Sequence, residues 1–127
     1  MTSVKICGIT NIGDAYWAAE YGADALGLIF YPKSQRYIAP ERVKEILQRI
    51  PGSIGRVGVF VNQEIQTVKE IVRFCGLRLI QLHGDESPQY CGQFPRSTLI
   101  KAISHDAEEE VQRLENYTVK AILVDAH

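Results

Sequence analysis

The feature that most constrains this chain is a regular alternation of short apolar runs with segments of helical periodicity. Several runs are apolar at nearly every position, which is typical of strands buried on both faces. Strands that alternate with helices over short connections predict a parallel sheet with right-handed crossovers. The six predicted strands begin near Val4, Ala23, Gly55, Leu77, Thr98 and Val119.

The segments between these runs carry helix signals. Asn11 is a suitable N-cap for the first helix, Pro40 suits the first position of the second, and Gly76 terminates the third. Apolar residues in the second and third helices recur every three or four positions, as expected for helices with one buried face. The predicted helices span 11–22, 40–50, 65–75, 87–94 and 106–114.

Two α/β architectures fit this pattern. A five-stranded flavodoxin-like sheet suits 127 residues, whereas a TIM (β/α)8 barrel usually needs at least about 200. The chain would then be an incomplete barrel of about five βα units and a sixth strand. Polar residues end several strands instead of clustering at one switch point, which favours the barrel. No linker interrupts residues 1–127, so we expect a single barrel domain, truncated at its C-terminal side.

Charge and cysteine content exclude several partners. The net charge is −1, from 14 basic and 15 acidic residues, so we expect no nucleic-acid or membrane partner. Three cysteines without a C-x-x-C spacing fit a reducing compartment. The N-terminus lacks the apolar core of a signal peptide, which predicts a cytoplasmic protein. The histidines are far apart in sequence and have no ligand spacing, so no metal site is predicted.

Two strand-terminal residues are candidates for acid–base chemistry. Cys7 ends the first strand just before a helix, where the helix N-terminus favours a thiolate that could act as nucleophile or general base. Asp125 ends the sixth strand, where poor solvation favours a protonated carboxyl able to act as a general acid. Taken singly, Cys7 could equally be a small buried apolar residue, and Asp125 is better explained as a loop cap.

Three further residues are candidates for ligand binding. Arg36 lies in a polar loop between Tyr31 and Tyr37 and could pair with a bound carboxylate, although a solvated loop charge is the alternative. Gln81 and His83 share one face of the fourth strand, where they could line a pocket or form a satisfied core pair.

Five stretches occur together and in one order. They are Val4-Lys5-Ile6-Cys7-Gly8-Ile9-Thr10, the segment from Ala23-Asp24-Ala25-Leu26-Gly27 through Phe30-Tyr31-Pro32-Lys33-Ser34-Gln35-Arg36-Tyr37, Val57-Gly58-Val59-Phe60-Val61-Asn62, Gln81-Leu82-His83-Gly84-Asp85-Glu86, and Leu123-Val124-Asp125-Ala126-His127. The set resembles the phosphoribosylanthranilate isomerases of tryptophan biosynthesis over nearly the whole chain.

This resemblance implies a (β/α)8 barrel and an Amadori rearrangement that uses no cofactor. The cysteine matching Cys7 would be the general base, and the aspartate matching Asp125 the general acid. Arg36 would hold the carboxylate of a small phosphorylated substrate, and Gln81 and His83 would line its pocket. A departure from the family's usual serine leaves Ala39 as the cap of the second helix.

The family continues beyond the residue matching Asp125, and the resemblance places its phosphate-binding loops after His127. We therefore expect a fragment or an incomplete record of a longer barrel. The alternative is a non-catalytic half-barrel that self-associates, or is complemented by the missing C-terminal strands, through its open edges. A flavodoxin-like or receiver-type binding module is a third hypothesis. It is disfavoured because Cys7-Gly8 stands where a receiver has acidic residues after the first strand, and Val61-Asn62 stands where it has an aspartate at the end of the third.

Overall fold

All six predicted strands form in the computed structural model, which describes residues 3–104 and 116–125. The predicted helix at 106–114 lies outside these residues. The elements are β1 (Lys5–Cys7), α1 (Ile12–Glu20), β2 (Ala25–Ile29), α2 (Pro40–Leu47), β3 (Gly55–Phe60), α3 (Ile65–Cys75), β4 (Leu79–Leu82), α4 (Pro88–Cys91), a 3₁₀ turn (Arg96–Thr98), β5 (Leu99–Ser104) and β6 (Ala121–Asp125).

The strands pair in sequence order, and every pairing is parallel. A flavodoxin-like sheet would instead place the first strand between the second and third. The observed order is that of successive units in a (β/α) barrel, so the flavodoxin-like alternative is excluded. Within the described residues β1 and β6 each have one strand neighbour, and the sheet is a six-stranded half-barrel.

The sheet is curled. Lys5 of β1 donates a hydrogen bond from Nζ to Oε1 of Gln81 on β4, although β2 and β3 lie between them. Three strand spacings of a flat sheet would separate those strands by about 14 Å. Curling brings the side chains of the inner face toward one another, as in a barrel interior.

Helices cover the outer face and bury the main apolar core. Alternate strand residues such as Leu26, Leu28 and Leu82 are fully buried, and they belong to one cluster with Val43 of α2 and Val68 of α3. The residues between them in sequence, including Gly27 and Gln81, belong to the inner face. This division of each strand leaves the inner face to carry polar groups.

Local signals set most helix boundaries. The Asn11 side chain caps α1 by accepting from the Asp14 amide at 2.8 Å. Gly76 ends α3 in the left-handed region at φ 71°. Ala39 precedes α2 without a side-chain cap, as expected. This helix ends at Leu47, three residues before the predicted end, and a turn continues from Gln48.

Candidate active site

Cys7 lies half-buried at the carboxyl end of β1, paired with Gly27 of β2. A Cβ atom at position 27 would lie 2.8 Å from Cys7 Sγ, well inside van der Waals contact. The missing side chain of Gly27 therefore provides the space that the thiol occupies. Sequence reasoning assigned no role to Gly27.

The next residue, Gly8, makes room for Arg36. Gly8 has φ 83°, a conformation that residues with a side chain rarely adopt. A Cβ there would lie 2.7 Å from Cδ and 2.8 Å from Cζ of Arg36. Arg36 crosses this glycine and donates from Nη1 to the Cys7 carbonyl oxygen at 3.3 Å. The structure thus brings the Arg36 guanidinium to the backbone of Cys7, although the two residues are 29 positions apart in sequence.

The loop that carries Arg36 is held by turns. The Ser34 and Tyr37 amides donate to the carbonyls of Tyr31 and Ser34 at 3.0 and 3.2 Å, and the Arg36 amide donates to Ser34 Oγ at 3.1 Å. The Ile38 amide then donates to the Ile29 carbonyl at 3.0 Å, which ties the end of the loop to β2. These contacts place Arg36 at the mouth of the half-barrel while leaving it exposed.

Gln81 and His83 lie together on β4 and just beyond it, as predicted. Gln81 is 2% exposed, and its Nε2 lies 3.2 Å from His83 Nδ1. Lys5, two residues before Cys7, contacts the other end of the same amide. Sequence reasoning missed Lys5. A charged residue within an otherwise apolar strand was the available signal.

A buried ion pair organises the opposite part of this sheet edge. Lys101 Nζ lies 3.3 Å from Glu86 Oε1, and neither side chain has any exposure. Lys101 also donates to the carbonyls of Gly84 at 2.7 Å and Ala102 at 2.9 Å. Glu86 accepts from the Asn62 amide at 2.7 Å and from the Gly84 amide at 2.9 Å. The pair therefore joins the segments that follow β3 and β4 to the middle of β5.

Asp125 is the last residue of β6, and its backbone pairs with Ser104 at the end of β5. Its backbone is thus placed at the carboxyl end of the sheet. The roles of Asp125 and of Cys7, Arg36, Gln81 and His83 remain predictions.

The other two cysteines have a different environment. Cys75 and Cys91 are buried in the core at 6% and 0% exposure. Burial raises the pKa of the Cys75 thiol to about 11, with a further contribution from the Glu41 carboxylate. Burial also raises the pKa of Cys91. Both stay neutral near pH 7, as expected for packing residues.

The described residues contain neither a metal-binding cluster nor a membrane-spanning helix. Among residues 3–104 and 116–125, no group of three or more histidine, cysteine, aspartate or glutamate side chains is arranged to hold a metal ion. Within the same part of the chain, every helix is too short or too polar to cross a membrane.

Parallel strands in barrel order, with a thiol, a guanidinium and an imidazole at their carboxyl ends, define a (β/α)-barrel protein with a candidate active site. The family model of N-(5'-phosphoribosyl)anthranilate (PRA) isomerase matches residues 4–127. The chain belongs to this family.

Relatives of known sequence or structure support this family assignment. An N-(5'-phosphoribosyl)anthranilate isomerase from Syntrophus aciditrophicus is 50% identical over 98% of this chain, which spans 54% of that relative. The crystal structure of phosphoribosyl anthranilate isomerase from Thermotoga maritima matches the whole chain at a TM-score of 0.91 and 39% identity, with 63% of that structure covered.

A further crystal structure of phosphoribosyl anthranilate isomerase contains reduced 1-(o-carboxyphenylamino)-1-deoxyribulose 5-phosphate. It is 44% identical to this chain with a TM-score of 0.91 and covers 98% of it, and 65% of that structure is matched. The half-barrel therefore corresponds to somewhat more than half of a (β/α)-barrel isomerase.

Proposed function

We propose that this chain supplies the catalytic part of a phosphoribosylanthranilate isomerase, which converts N-(5-phosphoribosyl)anthranilate to the 1-deoxyribulose 5-phosphate product in tryptophan biosynthesis. The observation that carries the proposal is the placement of Arg36 across Gly8 onto the carbonyl of Cys7. It brings a guanidinium, a group suited to pairing with a carboxylate, to the backbone of the candidate base at one strand end. The ligand of the related crystal structure carries a carboxyphenyl group and a phosphate.

The proposed reaction consists of two proton transfers between the protein and its substrate, followed by a tautomerisation of the product. Asp125, as the protonated acid, gives its proton to the ribose ring oxygen, and the C1′–O bond breaks to leave a Schiff base. Cys7, as the thiolate, removes the proton from C2′ and yields an enolamine, which tautomerises to the ketone. Electrons stay within the substrate, so the sequence of steps requires no cofactor.

Three residues of the site have binding roles in this proposal. The planar guanidinium of Arg36 would pair with the anthranilate carboxylate through two parallel hydrogen bonds. Gln81 and His83 would line the pocket beside the sugar. Loops after His127 would bind the phosphate, as the last loops of many barrels do.

We also propose that the chain associates through the free edge of β1. Ile6 of this strand and Val4 just before it are 40% and 45% exposed. Beside them, Trp17 of α1 and Tyr21, which follows the end of that helix, are 55% and 81% exposed. A groove of about 400 Å³ lies along this edge. Its occupant would be the closing strands of the barrel or a second copy of the chain. A Thermotoga maritima relative is dimeric.

The proposed function is tested by turnover. The purified chain, and the chain joined to the C-terminal remainder of the Thermotoga maritima relative, are given phosphoribosylanthranilate, and the loss of anthranilate-type fluorescence is followed. We expect the joined protein to convert the substrate. The absence of turnover in both, together with a size that depends on concentration, would favour the non-catalytic half-barrel.

We propose the cytoplasm as the place of action.

A further inference from the structure

A row of three polar side chains crosses the inner face of the half-barrel. Lys5 of β1 donates through Nζ to Oε1 of Gln81, and Nε2 of the same amide lies 3.2 Å from Nδ1 of His83. Gln81 is 2% exposed, so water has little access to its amide. The buried amide therefore lies between the ammonium and the imidazole and needs a hydrogen-bonding partner at each of its two ends.

The direction of each hydrogen bond follows from what each group can do. A lysine ammonium only donates, so the amide atom that faces it must be the oxygen. The amide is planar, and its NH₂ group is then turned toward His83. An NH₂ group only donates, so Nδ1 must accept, which it does only when it carries no proton. In the neutral ring the proton then resides on Nε2.

Reversing this order is unfavourable in a buried place. A flipped amide would set its NH₂ group against the Lys5 ammonium, with two donors facing each other. A proton on Nδ1 would likewise face the NH₂ group across 3.2 Å. Each arrangement leaves a buried polar group without an acceptor, and such groups are costly. Lys5 thus selects one orientation of the amide, and the amide selects one tautomer of the imidazole.

We infer that Lys5 is a positioning residue that acts through Gln81 to fix His83 as the tautomer protonated at Nε2. An Nε2–H donor suits an acceptor oxygen of a phosphorylated sugar. That catalytic consequence rests on the proposed function, whereas the tautomer itself does not. Since Lys5 lies two residues before Cys7 on β1, the same strand would carry the candidate base and the group that orients the pocket histidine.

The tautomer is read by NMR on the chain itself, labelled with ¹⁵N-histidine. Spectra are recorded at about pH 8, where an ordinary histidine ring is neutral. The chemical shifts of the two ring nitrogens show which one carries the proton. A His83→Asn variant identifies the His83 signals among the three histidines of the sequence. In the unmodified chain we expect Nδ1 to be unprotonated and Nε2 to be protonated.

Three substitutions test how Lys5 and Gln81 set the tautomer of His83. Gln81→Glu replaces the amide with a carboxylate. One carboxylate oxygen still accepts from Lys5, and the other, in the place of the NH₂ group, can now accept from His83. We expect the His83 proton to appear on Nδ1. Lys5→Met removes the cation that orients the amide, and we expect a mixture of the two tautomers. Lys5→Arg restores a donor and should return the ring to the Nε2–H form.

Lys33→Met removes an exposed loop lysine and is the matched control, which should leave the His83 signals unchanged. Backbone amide spectra establish that each variant is folded. A proton on Nδ1 in the unmodified chain would overturn the inference. Unaltered His83 signals in folded Lys5→Met or Gln81→Glu would overturn it too. Because no turnover is needed, these outcomes are separate from failure of the isomerase assay.

Discussion

The two ends of the sheet's carboxyl edge are built differently. At β1 and β2, Cys7 and Arg36 are accommodated by Gly27 and Gly8, and Arg36 remains exposed. At β3 to β5, the fully buried Glu86–Lys101 pair links the segments after β3 and β4 to β5 through backbone hydrogen bonds. The buried end holds the strands of the sheet together, whereas the glycine-lined end leaves its functional groups accessible to a ligand.

The largest effect on stability should come from breaking the buried pair. Glu86→Gln leaves the Lys101 ammonium buried without its counter-charge, which typically costs about 3–5 kcal/mol. The free energy of unfolding is measured by urea denaturation. The control is Glu45→Gln, in the exposed Arg42–Glu45 pair at 3.0 Å, where about 0–1 kcal/mol is expected. Equal losses of unfolding free energy in the two variants would show that the buried pair stabilises the fold no more than the exposed pair does.

The glycine-lined end should respond in ligand binding as well as in stability. Gly8→Ala forces a side chain into a backbone with φ 83° and displaces Arg36. Gly22 has φ 93° with nothing within 4 Å of an added Cβ, so Gly22→Ala imposes the backbone strain alone. We expect each variant to lose about 1–3 kcal/mol of stability.

The binding of substrate separates these two variants. In the joined protein, Gly8→Ala should raise KM by roughly 10- to 150-fold, because about 1.5–3 kcal/mol of a charged hydrogen bond is lost. Gly22→Ala should leave KM unchanged. A parallel change of KM in both variants would mean that Arg36 does not bind the substrate.

Gly27→Ala tests whether the space beside the Cys7 thiol matters for turnover. The added Cβ would meet Cys7 Sγ at 2.8 Å, whereas in Gly55→Ala it would meet Ala25 Cβ at 3.0 Å, away from the thiol. Both variants should lose about 1–3 kcal/mol of stability through overpacking. Only Gly27→Ala should slow turnover of the joined protein, by about 10²-fold, because the base is misplaced. Equal turnover in the two variants would contradict this view of Cys7.

The smallest expected effect is on the buried thiols. The pKa of Cys75 is raised to about 11 by burial, so the folded chain favours the neutral thiol. Between about pH 9 and 11 the unfolded chain loses this proton first, and stability should fall as pH rises. Cys75→Ala should remove that part of the pH dependence in urea denaturation. If the slope were the same in both proteins, Cys75 would not be its source.

Alkylation distinguishes the cysteines more directly. Cys7 is half-buried, whereas Cys75 is in the core. Brief treatment with iodoacetamide at about pH 8 should modify Cys7 before Cys75, because only thiolates react and the raised pKa keeps Cys75 neutral. Peptide mapping by mass spectrometry gives the order. Earlier modification of Cys75 would contradict the structure.

The sequence predicted local features well because they depend on local chemistry. Asn11 caps α1 and Gly76 ends α3 as expected. The incomplete (β/α) barrel predicted from the strand-terminal polar residues is confirmed, and it implies both the strand order and the curled sheet. The pairing of Lys5 with Gln81 depends on a contact between residues far apart in sequence, and no local pattern encodes it.

Glu86 and Lys101 were missed for a similar reason. A charged residue is normally solvated, and the two partners are 15 residues apart in sequence. Lys101 lies inside the apolar run Leu99-Ile100-Lys101-Ala102-Ile103, and that placement was the one signal of a buried partner. The functions of Gly8 and Gly27 became apparent only once Arg36 and Cys7 had positions in space.

The central claim is that the thiol at the end of β1 is the base of the isomerase. Its most direct test is the turnover of phosphoribosylanthranilate by the joined protein with Cys7→Ala, beside Cys75→Ala as the control. Loss of a general base predicts a fall of about 10²–10⁴-fold for Cys7→Ala and an unchanged rate per folded molecule for Cys75→Ala. A full rate with Cys7→Ala would contradict the account.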